Sequence, residues 1–331
     1  MVQPPQNTAP EPLGAEVDDL AEGAASAGVE RREAVVPRGM HGERLDKAVV
    51  AMAPEFSRSH LQGLIEAGHV QLGGAVITTA SRKVRSGQLL AVELVPTAES
   101  RAFRAEAIAL DIVHEDADLM VVNKAAGMVV HPAAGNWSGT LLNALLAHHA
   151  GAASLPRAGI LHRLDKDTSG LMVVGKTLQA VTALVRAIAS REVSRQYLAI
   201  ACGEAVHKSF SVEAPVGRDP QSRIRMAVVP GGKPARTDVQ VLARADGFSA
   251  LRCILHTGRT HQIRVHLASR GHPLVADAVY GGKPALGLTR QALHATRLAF
   301  THPGSAELLT FEAALPTDMA GAWRQVAGVM A

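Results

Sequence analysis

The residues best suited to chemistry lie together in the stretch His162-Arg163-Leu164-Asp165-Lys166-Asp167-Thr168-Ser169-Gly170. Apolar residues precede and follow it, so the pattern predicts a charged bend between two buried segments. Loops held by rigid elements are where proteins place reactive groups. Alternation along the backbone predicts that Leu164 points inward and that Arg163 and Asp165 point to the other side.

Asp165 is the side chain in this bend that is best suited to act as a catalytic group. A carboxylate can act as a nucleophile or a base when neighbouring guanidinium groups keep it ionised. A second basic cluster, Thr257-Gly258-Arg259-Thr260-His261-Gln262-Ile263-Arg264, offers two arginines as partners. Arg259 and Arg264 are five residues apart, so only one would face a given carboxylate if this region is helical. The alternative is that Asp165 is an ordinary turn residue.

Several common chemistries lack their local signature in this chain. The glycine patterns for triphosphate and dinucleotide binding, the zincin motif His-Glu-x-x-His and the hydrolase motif Gly-x-Ser-x-Gly are all absent. His256, His261 and His266 are spaced by five, which does not keep three rings on one helical face. The pattern therefore predicts neither a metal nor a cofactor.

Length and charge indicate two domains and an anionic partner. The 331 residues exceed what a single core usually organises. Residues 1 to 33 carry seven acids and two arginines, a net charge of −5, so the rest of the chain has a net charge of +9 within the overall +4. A basic body with an acidic tail suits a polyanion. The sequence contains neither an 18-residue apolar run nor a secretory signal. Cys202 and Cys253 lie in apolar segments and are predicted to be reduced core residues, so a cytoplasmic protein is expected.

The predicted organisation has four parts: a disordered acidic tail (1–36), a small α+β unit (43–95), a linker (96–109) and a larger domain (110–331). In the small unit, Leu45, Val49 and Met52 recur at helical spacing. Ser57 is the predicted cap of a second helix. Strands are expected around Gly73-Gly74 and from Leu89 to Leu94.

The larger domain has strand patterns that alternate with helical ones. Strands are predicted at 110–113, 119–122, 171–174, 197–201, 239–243 and 248–255, and helices from Thr140, over 178–189 and from near Thr260. Regular βαβ spacing is missing, so a mixed, mostly antiparallel sheet in an α+β fold is favoured.

The small unit resembles the S4 RNA-binding domain in Arg44-Leu45-Asp46-Lys47, in Ser57-Arg58-Ser59 and in the residues Leu64 to Gly74 that follow. It departs from that family at Gly73 and Gln88, where Asn and Asp are usual. The resemblance implies an RNA-binding surface, to which we assign Arg44, Arg58 and Lys83.

The larger domain resembles the RluA family of pseudouridine synthases through four motifs in order. They are Val122 to Gly127 with Val130-His131-Pro132, the stretch His162 to Leu171, the stretch Ser194 to Ala199, and the stretch Gly258 to His266, followed by Asp277-Ala278-Val279-Tyr280-Gly281-Gly282. The resemblance implies a curved sheet with a central cleft, and isomerisation of uridine to pseudouridine in ribosomal RNA without a cofactor.

The same resemblance implies roles for individual residues. Asp165 is the nucleophile, or the base of an elimination route, and both remain open. Tyr197 lies against the uracil, and Arg264 is the salt-bridge partner of Asp165. Arg163 fills the space that a flipped uridine leaves. His162, Lys166 and Arg259 are expected to contact RNA.

Two other functions compete with this interpretation. A noncatalytic RNA-binding assembly factor would use both domains to hold ribosomal RNA and would not need Asp165. A glycoside hydrolase would pair Asp165 with a second carboxylate and release free base or sugar. The expected partner is either an rRNA molecule or an assembling large subunit. The protein is expected to act as a monomer and not to bind membranes.

Overall fold

The computed structural model describes residues 30–95, 102–133, 135–222 and 224–328. The chain divides into two compact units, Met1–Thr97 and Ala98–Ala331, each described by itself below. Within the described ranges, no helix is both long enough and apolar enough to cross a membrane.

The first unit contains two helices and a four-stranded antiparallel sheet. Its elements are β1 (Glu30–Val35), α1 (Leu45–Met52), α2 (Arg58–Glu66), β2 (Val70–Leu72), β3 (Ala75–Val76) and β4 (Leu89–Leu94), and a 3-10 turn covers Arg38–Met40. The strand order is β1-β4-β2-β3. Ser57 Oγ accepts a hydrogen bond from the His60 N–H at 3.3 Å and caps α2 as predicted. Leu45, Leu61 and Ile65 are fully buried between the helices and the sheet.

The prediction that residues 1–36 are disordered is wrong at the C-terminal end of this segment. Glu30–Val35 forms β1, which pairs with β4 in the register Glu30↔Leu94 to Val35↔Leu89. Five of its six side chains are exposed and the sixth is half-buried. An edge strand without a buried face has no alternating hydrophobic pattern, so the sequence carried no signal for it. Residues 1–29 of the predicted tail lie outside the described residues.

The second unit is built on one large sheet with helices on both sides. Its elements are β5 (Ile112–Glu115), β6 (Leu119–Lys124), α3 (Leu141–His148), β7 (Ser169–Gly175), α4 (Leu178–Ala189), β8 (Ser194–Cys202), β9 (Ser209–Glu213), β10 (Val216–Arg218), β11 (Met226–Val228), β12 (Arg236–Ala245), β13 (Phe248–Leu255), α5 (Gln262–Ser269), β14 (Leu293–Thr301), β15 (Leu308–Glu312) and α6 (Thr317–Ala327). Two 3-10 segments, Ala152–Ser154 and Pro156–Gly159, follow α3.

The strand order of the large sheet is β5-β6-β7-β14-β8-β13-β12-β9, and β15 pairs with the far half of β14. Among the described strands, only β7 and β14 pair in parallel, through His294↔Ser169 and Ala295↔Gly170. Strands β10 and β11 form a separate hairpin. The prediction of an α+β fold with a mixed, mostly antiparallel sheet is confirmed.

The central strands are buried on both faces. Met120, Val122, Met172 and Val174 belong to a core with α3, while the alternating residues of the same two strands pack in a second core with Leu184 of α4. Strands covered on both sides read as continuous apolar runs. This explains why the runs at 119–122 and 171–174 were recognised as strands.

Several elements escaped prediction. The sequence patterns do not predict strands β9, β10, β11, β14 and β15 or helix α6, whereas α5 begins at Gln262, near the predicted start at Thr260. By contrast, α4 and β13 have the predicted bounds. The missed strands β9 and β15 alternate exposed with half-buried residues for most of their length, which weakens the hydrophobic signal.

The predicted linker of residues 96–109 is too long. Ala102 is 1% exposed, and the Asn143 side-chain amide donates to the Ala102 carbonyl at 3.1 Å and to the Arg104 carbonyl at 2.8 Å. The Glu106 carboxylate accepts from the Gly139 N–H. These contacts tie residues 102–106 to the start of α3, whereas residues 96–101 lie outside the described part of the chain.

Candidate active site

The charged bend lies between the 3-10 segment Pro156–Gly159 and β7, and it is fastened at several points. Leu164 is 4% exposed and joins the core, as the pattern predicts, while Arg163 on the other side is exposed. The Thr168 N–H donates to the Asp165 carbonyl at 3.1 Å, which closes a turn after the aspartate. Ser169 Oγ contacts His294 Nδ1 at 2.9 Å and ties the end of the bend to β14.

A buried lysine holds the underside of this bend. Lys124, at the end of β6, is 2% exposed, and its ammonium donates to the carbonyl oxygens of Ala125, Met128 and Lys166 at 2.8 to 3.0 Å. Burial lowers the pKa of Lys124 to about 8, although the carboxylates of Asp165 and Asp167 act in the opposite direction. The lysine thus fixes the backbone one residue beyond Asp165.

Asp165 pairs with Arg264 across 99 residues of chain. Arg264 Nη1 donates to Asp165 Oδ2 at 2.9 Å, and its Nε and Nη2 donate to Asp277 at 2.7 and 2.8 Å. Burial would lower the pKa of Arg264, but the Asp277 hydrogen bonds and the Asp165 charge outweigh it and raise the pKa. The guanidinium stays charged and holds Asp165 by a charge-assisted hydrogen bond.

Arg259 does not compete for this position. It precedes α5, and its Nε donates to the Pro234 carbonyl at 3.2 Å. Arg264 lies inside α5 at 5% exposure, on the side that faces the bend. Helix α5 therefore orients Arg264 toward the carboxylate, whereas Arg259 lies outside the helix.

Tyr197 forms one wall of the pocket beside Asp165. It lies in the middle of β8 between β13 and β14, where it pairs with Cys253 and Ala295, and it is 4% exposed. Burial raises the pKa of its hydroxyl, so the phenol is protonated at neutral pH. The ring belongs to the main core as well as to the pocket, so its position is set by packing.

The pocket collects most of the residues that the motifs indicated. Its lining includes Arg163, Asp165, Tyr197, Arg259, His261 and Arg264. Its floor is apolar, from Leu164, Leu255, Ile263 and Leu293. The pocket thus combines a carboxylate and several basic side chains with an apolar lining, as small-molecule and base-binding sites do.

His162 differs from its prediction as an RNA contact. Its Nε2 accepts a hydrogen bond from the Val173 N–H at 3.1 Å. Burial, together with the charge of Arg195, lowers the pKa of His162 to about 3. A neutral ring bonded to the backbone of β7 supplies no positive charge for a phosphate. Lys166, by contrast, is exposed.

The proposed RNA contacts of the first unit are arranged around a buried acid. Asp46 is fully buried and accepts from Arg44 at 3.0 and 3.2 Å, from Arg58 at 2.9 Å and from Gln62 at 2.9 Å. The Arg44 hydrogen bond is the largest cause that keeps the pKa of Asp46 well below its usual range. Lys83 is exposed and lies beside Arg44 in a short backbone bridge.

Three structural roles at the site had not been predicted, those of Lys124, Asp277 and Tyr280. Asp277 is the strongest case, because it is 1% exposed and a buried acid in an apolar segment requires a partner. Its sequence context, between Val275 and Val279, is the signal that could have identified it.

No metal centre is evident in the described residues, where no group of three or more His, Cys, Asp or Glu side chains is arranged to hold a metal ion. His256, His261 and His266 contact Asp238, Tyr280 and Thr237, respectively. A separate open depression of about 230 Å³ lies near His114 and His302, and both rings hydrogen-bond to Asp116 within it.

Comparisons with known proteins agree with this geometry. The sequence pattern of the RNA pseudouridylate synthase family matches residues 118–269, and that of the S4 domain matches residues 43–90. The chain belongs to the RNA pseudouridylate synthase family.

Individual relatives are similar over most of their length. The ribosomal large subunit pseudouridine synthase D of Nitrosomonas europaea is 49% identical over 296 residues, covering 87% of this chain and 86% of the relative. The protein of the same name from Neisseria meningitidis serogroup B is 48% identical over 315 residues, covering 91% and 83%. Among solved structures, human RNA pseudouridylate synthase domain containing 1 is 28% identical, with a TM-score of 0.52 over 64% of this chain and 86% of that one.

Proposed function

We propose that this protein isomerises uridines to pseudouridine in large-subunit ribosomal RNA, with Asp165 as the residue that carries out the bond chemistry. One observation carries the proposal. In a chain of this family, the Asp165 carboxylate is held by Arg264 at 2.9 Å in a pocket that Tyr197 lines. The names of the relatives support large-subunit RNA as the substrate.

The reaction breaks the N-glycosidic bond, turns the uracil in place and rejoins it through carbon 5. Asp165 attacks the sugar as a nucleophile or removes a proton as the base of an elimination. Arg264 orients the carboxylate in either route. Tyr197 packs against the uracil, and its protonated hydroxyl is available for proton transfer. The isomerisation transfers no electrons and consumes no ATP, so the proposal includes no cofactor.

A stacked uridine has to leave the RNA helix to reach Asp165, at a cost of roughly a few kcal/mol. Arg163 is exposed next to Asp165 and lines the pocket, so we assign it to the space that the flipped base vacates. Lys166 and Arg259 are assigned to backbone phosphates near the opening. His162 is left out of this set because its ring is neutral and bonded to β7.

The first unit is assigned to RNA binding through Arg44, Arg58 and Lys83. Asp46 holds the first two guanidinium groups in fixed positions, which reduces the entropy lost when they meet phosphates. We assign residues 43–95 to this S4 domain and the chain from residue 102 onward to the catalytic domain. The protein is proposed to act as a monomer in the cytoplasm, on ribosomal RNA or on an assembling large subunit.

Pseudouridine mapping tests this function directly. Large-subunit ribosomal RNA is taken from cells that have the gene and from cells in which the gene is deleted. It is also taken from the deletion strain expressing either the wild-type or the Asp165→Ala protein. We expect specific pseudouridines to disappear on deletion and to return only with the wild type. Unchanged maps would reject the function. Restoration of the modifications by Asp165→Ala would refute the assigned role of Asp165. Release of free uracil would indicate a hydrolase instead.

A further inference from the structure

His261 occupies an unusual position between Asp165 and Tyr280. It precedes α5 with φ 56° and ψ 19°, a left-handed conformation that non-glycine residues rarely adopt. Its Nε2 lies 3.8 Å from Asp165 Oδ1, and its Nδ1 lies 2.8 Å from the Tyr280 hydroxyl. Strained backbone at a reactive carboxylate is where a functional constraint is expected.

The hydrogen bonds around Tyr280 favour one tautomer of His261. The Met226 N–H donates to the Tyr280 hydroxyl oxygen at 3.0 Å. The hydroxyl hydrogen is then available to His261 Nδ1, which lies 2.8 Å away. In this arrangement Nδ1 is unprotonated, and the proton of the neutral ring resides on Nε2, directed toward Asp165 Oδ1.

The two oxygens of Asp165 are consequently not equivalent. Oδ2 accepts from Arg264 at 2.9 Å, whereas 3.8 Å between Oδ1 and His261 Nε2 exceeds a hydrogen bond. Oδ1 is the less constrained oxygen and is available to the substrate. His261 stands beside this oxygen with a donor that a small movement would bring into contact.

We propose that His261 is a positioning residue that presents Nε2–H to Oδ1 of Asp165, and that Tyr280 sets the ring in the tautomer this requires. The inference rests on the proposed isomerisation. As negative charge returns to Oδ1 during the reaction, the Nε2–H donor stabilises it. Arg264 on Oδ2 and His261 on Oδ1 together fix the plane of the carboxylate.

The role requires a neutral ring. A protonated ring would also carry hydrogen on Nδ1, which would oppose the hydroxyl hydrogen of Tyr280. Burial is the largest influence and lowers the pKa of His261, so the neutral form prevails near pH 7. Charged groups around the ring act in both directions: Asp165 and Asp277 raise its pKa, and Arg264 and Arg163 lower it. Two further cations are near, since Arg225 lies over the Tyr280 ring and Arg259 lines the same pocket as His261.

Two substitutions at His261 separate this role from a purely structural one. The side-chain amide of His261→Gln can reach the position of Nε2, whereas that of His261→Asn reaches only that of Nδ1. Asparagine tolerates a left-handed backbone better than glutamine. A structural role therefore predicts that the Asn variant performs better, and the proposed role predicts the reverse.

The assay measures single-turnover pseudouridine formation at saturating enzyme, on large-subunit particles from cells lacking the protein. We expect the Gln variant to keep its rate within about tenfold of wild type, and the Asn variant to lose about a hundredfold, with RNA affinity unchanged in both. The wild-type rate should fall as the pH drops through the His261 pKa, and this fall should be absent in the Gln variant. An Asn variant that equals or exceeds the Gln variant, or identical pH profiles, would overturn the inference.

Tyr280→Phe provides a second test if both His261 variants misfold. The ring lies 5.0 Å from the Arg264 guanidinium, and phenylalanine preserves this contact while removing only the hydroxyl. We expect a rate loss of about tenfold without a change in RNA affinity, because the hydroxyl no longer hydrogen-bonds to His261 Nδ1 or to the Met226 N–H. An unchanged rate would refute the role of Tyr280. Absence of product from the wild type would instead count against the proposed function itself.

Discussion

Arg264 and Asp277 form a two-point ion pair, with Nε–Oδ2 at 2.7 Å and Nη2–Oδ1 at 2.8 Å. Asp277 is 1% exposed, so this pair lies beneath the site and leaves only Nη1 of the guanidinium for Asp165. Bidentate pairs of this kind fix direction as well as charge. The orientation of Asp165 therefore depends on an aspartate that does not touch it.

Asp277→Ala should destabilise the catalytic domain. It leaves a buried guanidinium with one counter-ion instead of two, a change that typically costs about 3–5 kcal/mol. Both tryptophans of the chain, Trp137 and Trp323, belong to this domain, so their fluorescence during denaturant unfolding reports on it alone. Asp277→Asn, which keeps shape and one acceptor, is the control and should lose less. Equal stability of Asp277→Ala and wild type would contradict the prediction.

Asp165→Asn should reduce pseudouridine formation by roughly a thousandfold or more, because it removes the carboxylate oxygen to which we assign the bond chemistry. RNA binding should be largely unaffected, since the basic residues around the pocket remain. Tritium release from uridine labelled at carbon 5 measures turnover, and a filter assay measures binding. Substantial turnover by the purified variant would show that another group carries out the reaction.

Gly170→Ala should disrupt the end of the bend. Gly170 has φ +114°, and an added Cβ would lie 2.6 Å from the Ala295 nitrogen in the parallel contact between β7 and β14. Backbone strain of about 1–3 kcal/mol adds to this overlap. Gly271→Ala is the matched control, because its φ of +80° imposes strain while nothing lies within 4 Å. Thermal unfolding should show a clearly larger loss for Gly170→Ala, and equal losses would exclude the overlap as the cause.

Lys124 should make stability depend on pH in a defined window. Its pKa is about 8 in the folded protein and near its ordinary value of about 10.5 in the unfolded chain. Between these values the unfolded chain binds the extra proton, so stability rises with pH and the penalty of the buried charge is full below about 8. The difference in unfolding free energy between wild type and Lys124→Met should change by about 3 kcal/mol from pH 8 to 10.5. A difference that is flat with pH would contradict the shifted pKa.

Lys83→Ala should weaken RNA binding through charge alone. Loss of one phosphate contact lowers the slope of log affinity against log salt by about 0.7 to 0.9. Arg31→Ala is the control in the same unit, because Glu33 and Glu93 already pair with that guanidinium at 2.8 and 3.6 Å. Identical slopes for wild type and Lys83→Ala would remove Lys83 from the RNA-binding surface.

Local patterns in the sequence were sufficient for elements that carry their own signal. Helix α4 has a regular apolar face and a Thr177 cap whose Oγ accepts from the Ala180 N–H at 3.1 Å, and its bounds were predicted. The bend at Asp165 is predicted for a similar reason, since a dense run of charged residues between two apolar segments favours a turn. Residue types, spacing and family motifs together indicated the reactive carboxylate.

Tertiary structure decided how the side chains meet. Asp165 and Arg264 are 99 residues apart, and their contact depends on where α5 lies relative to the bend, which no local pattern encodes. The choice of Arg264 over Arg259, the support from Asp277 and the inward turn of His162 all follow from packing between distant segments. Hydrophobic periodicity specifies which face of an element is buried, but not which other element covers it. The residue types of the site could therefore be predicted from the sequence. The pairing of Asp165 with Arg264 depends on how the sheet and α5 bring distant segments together.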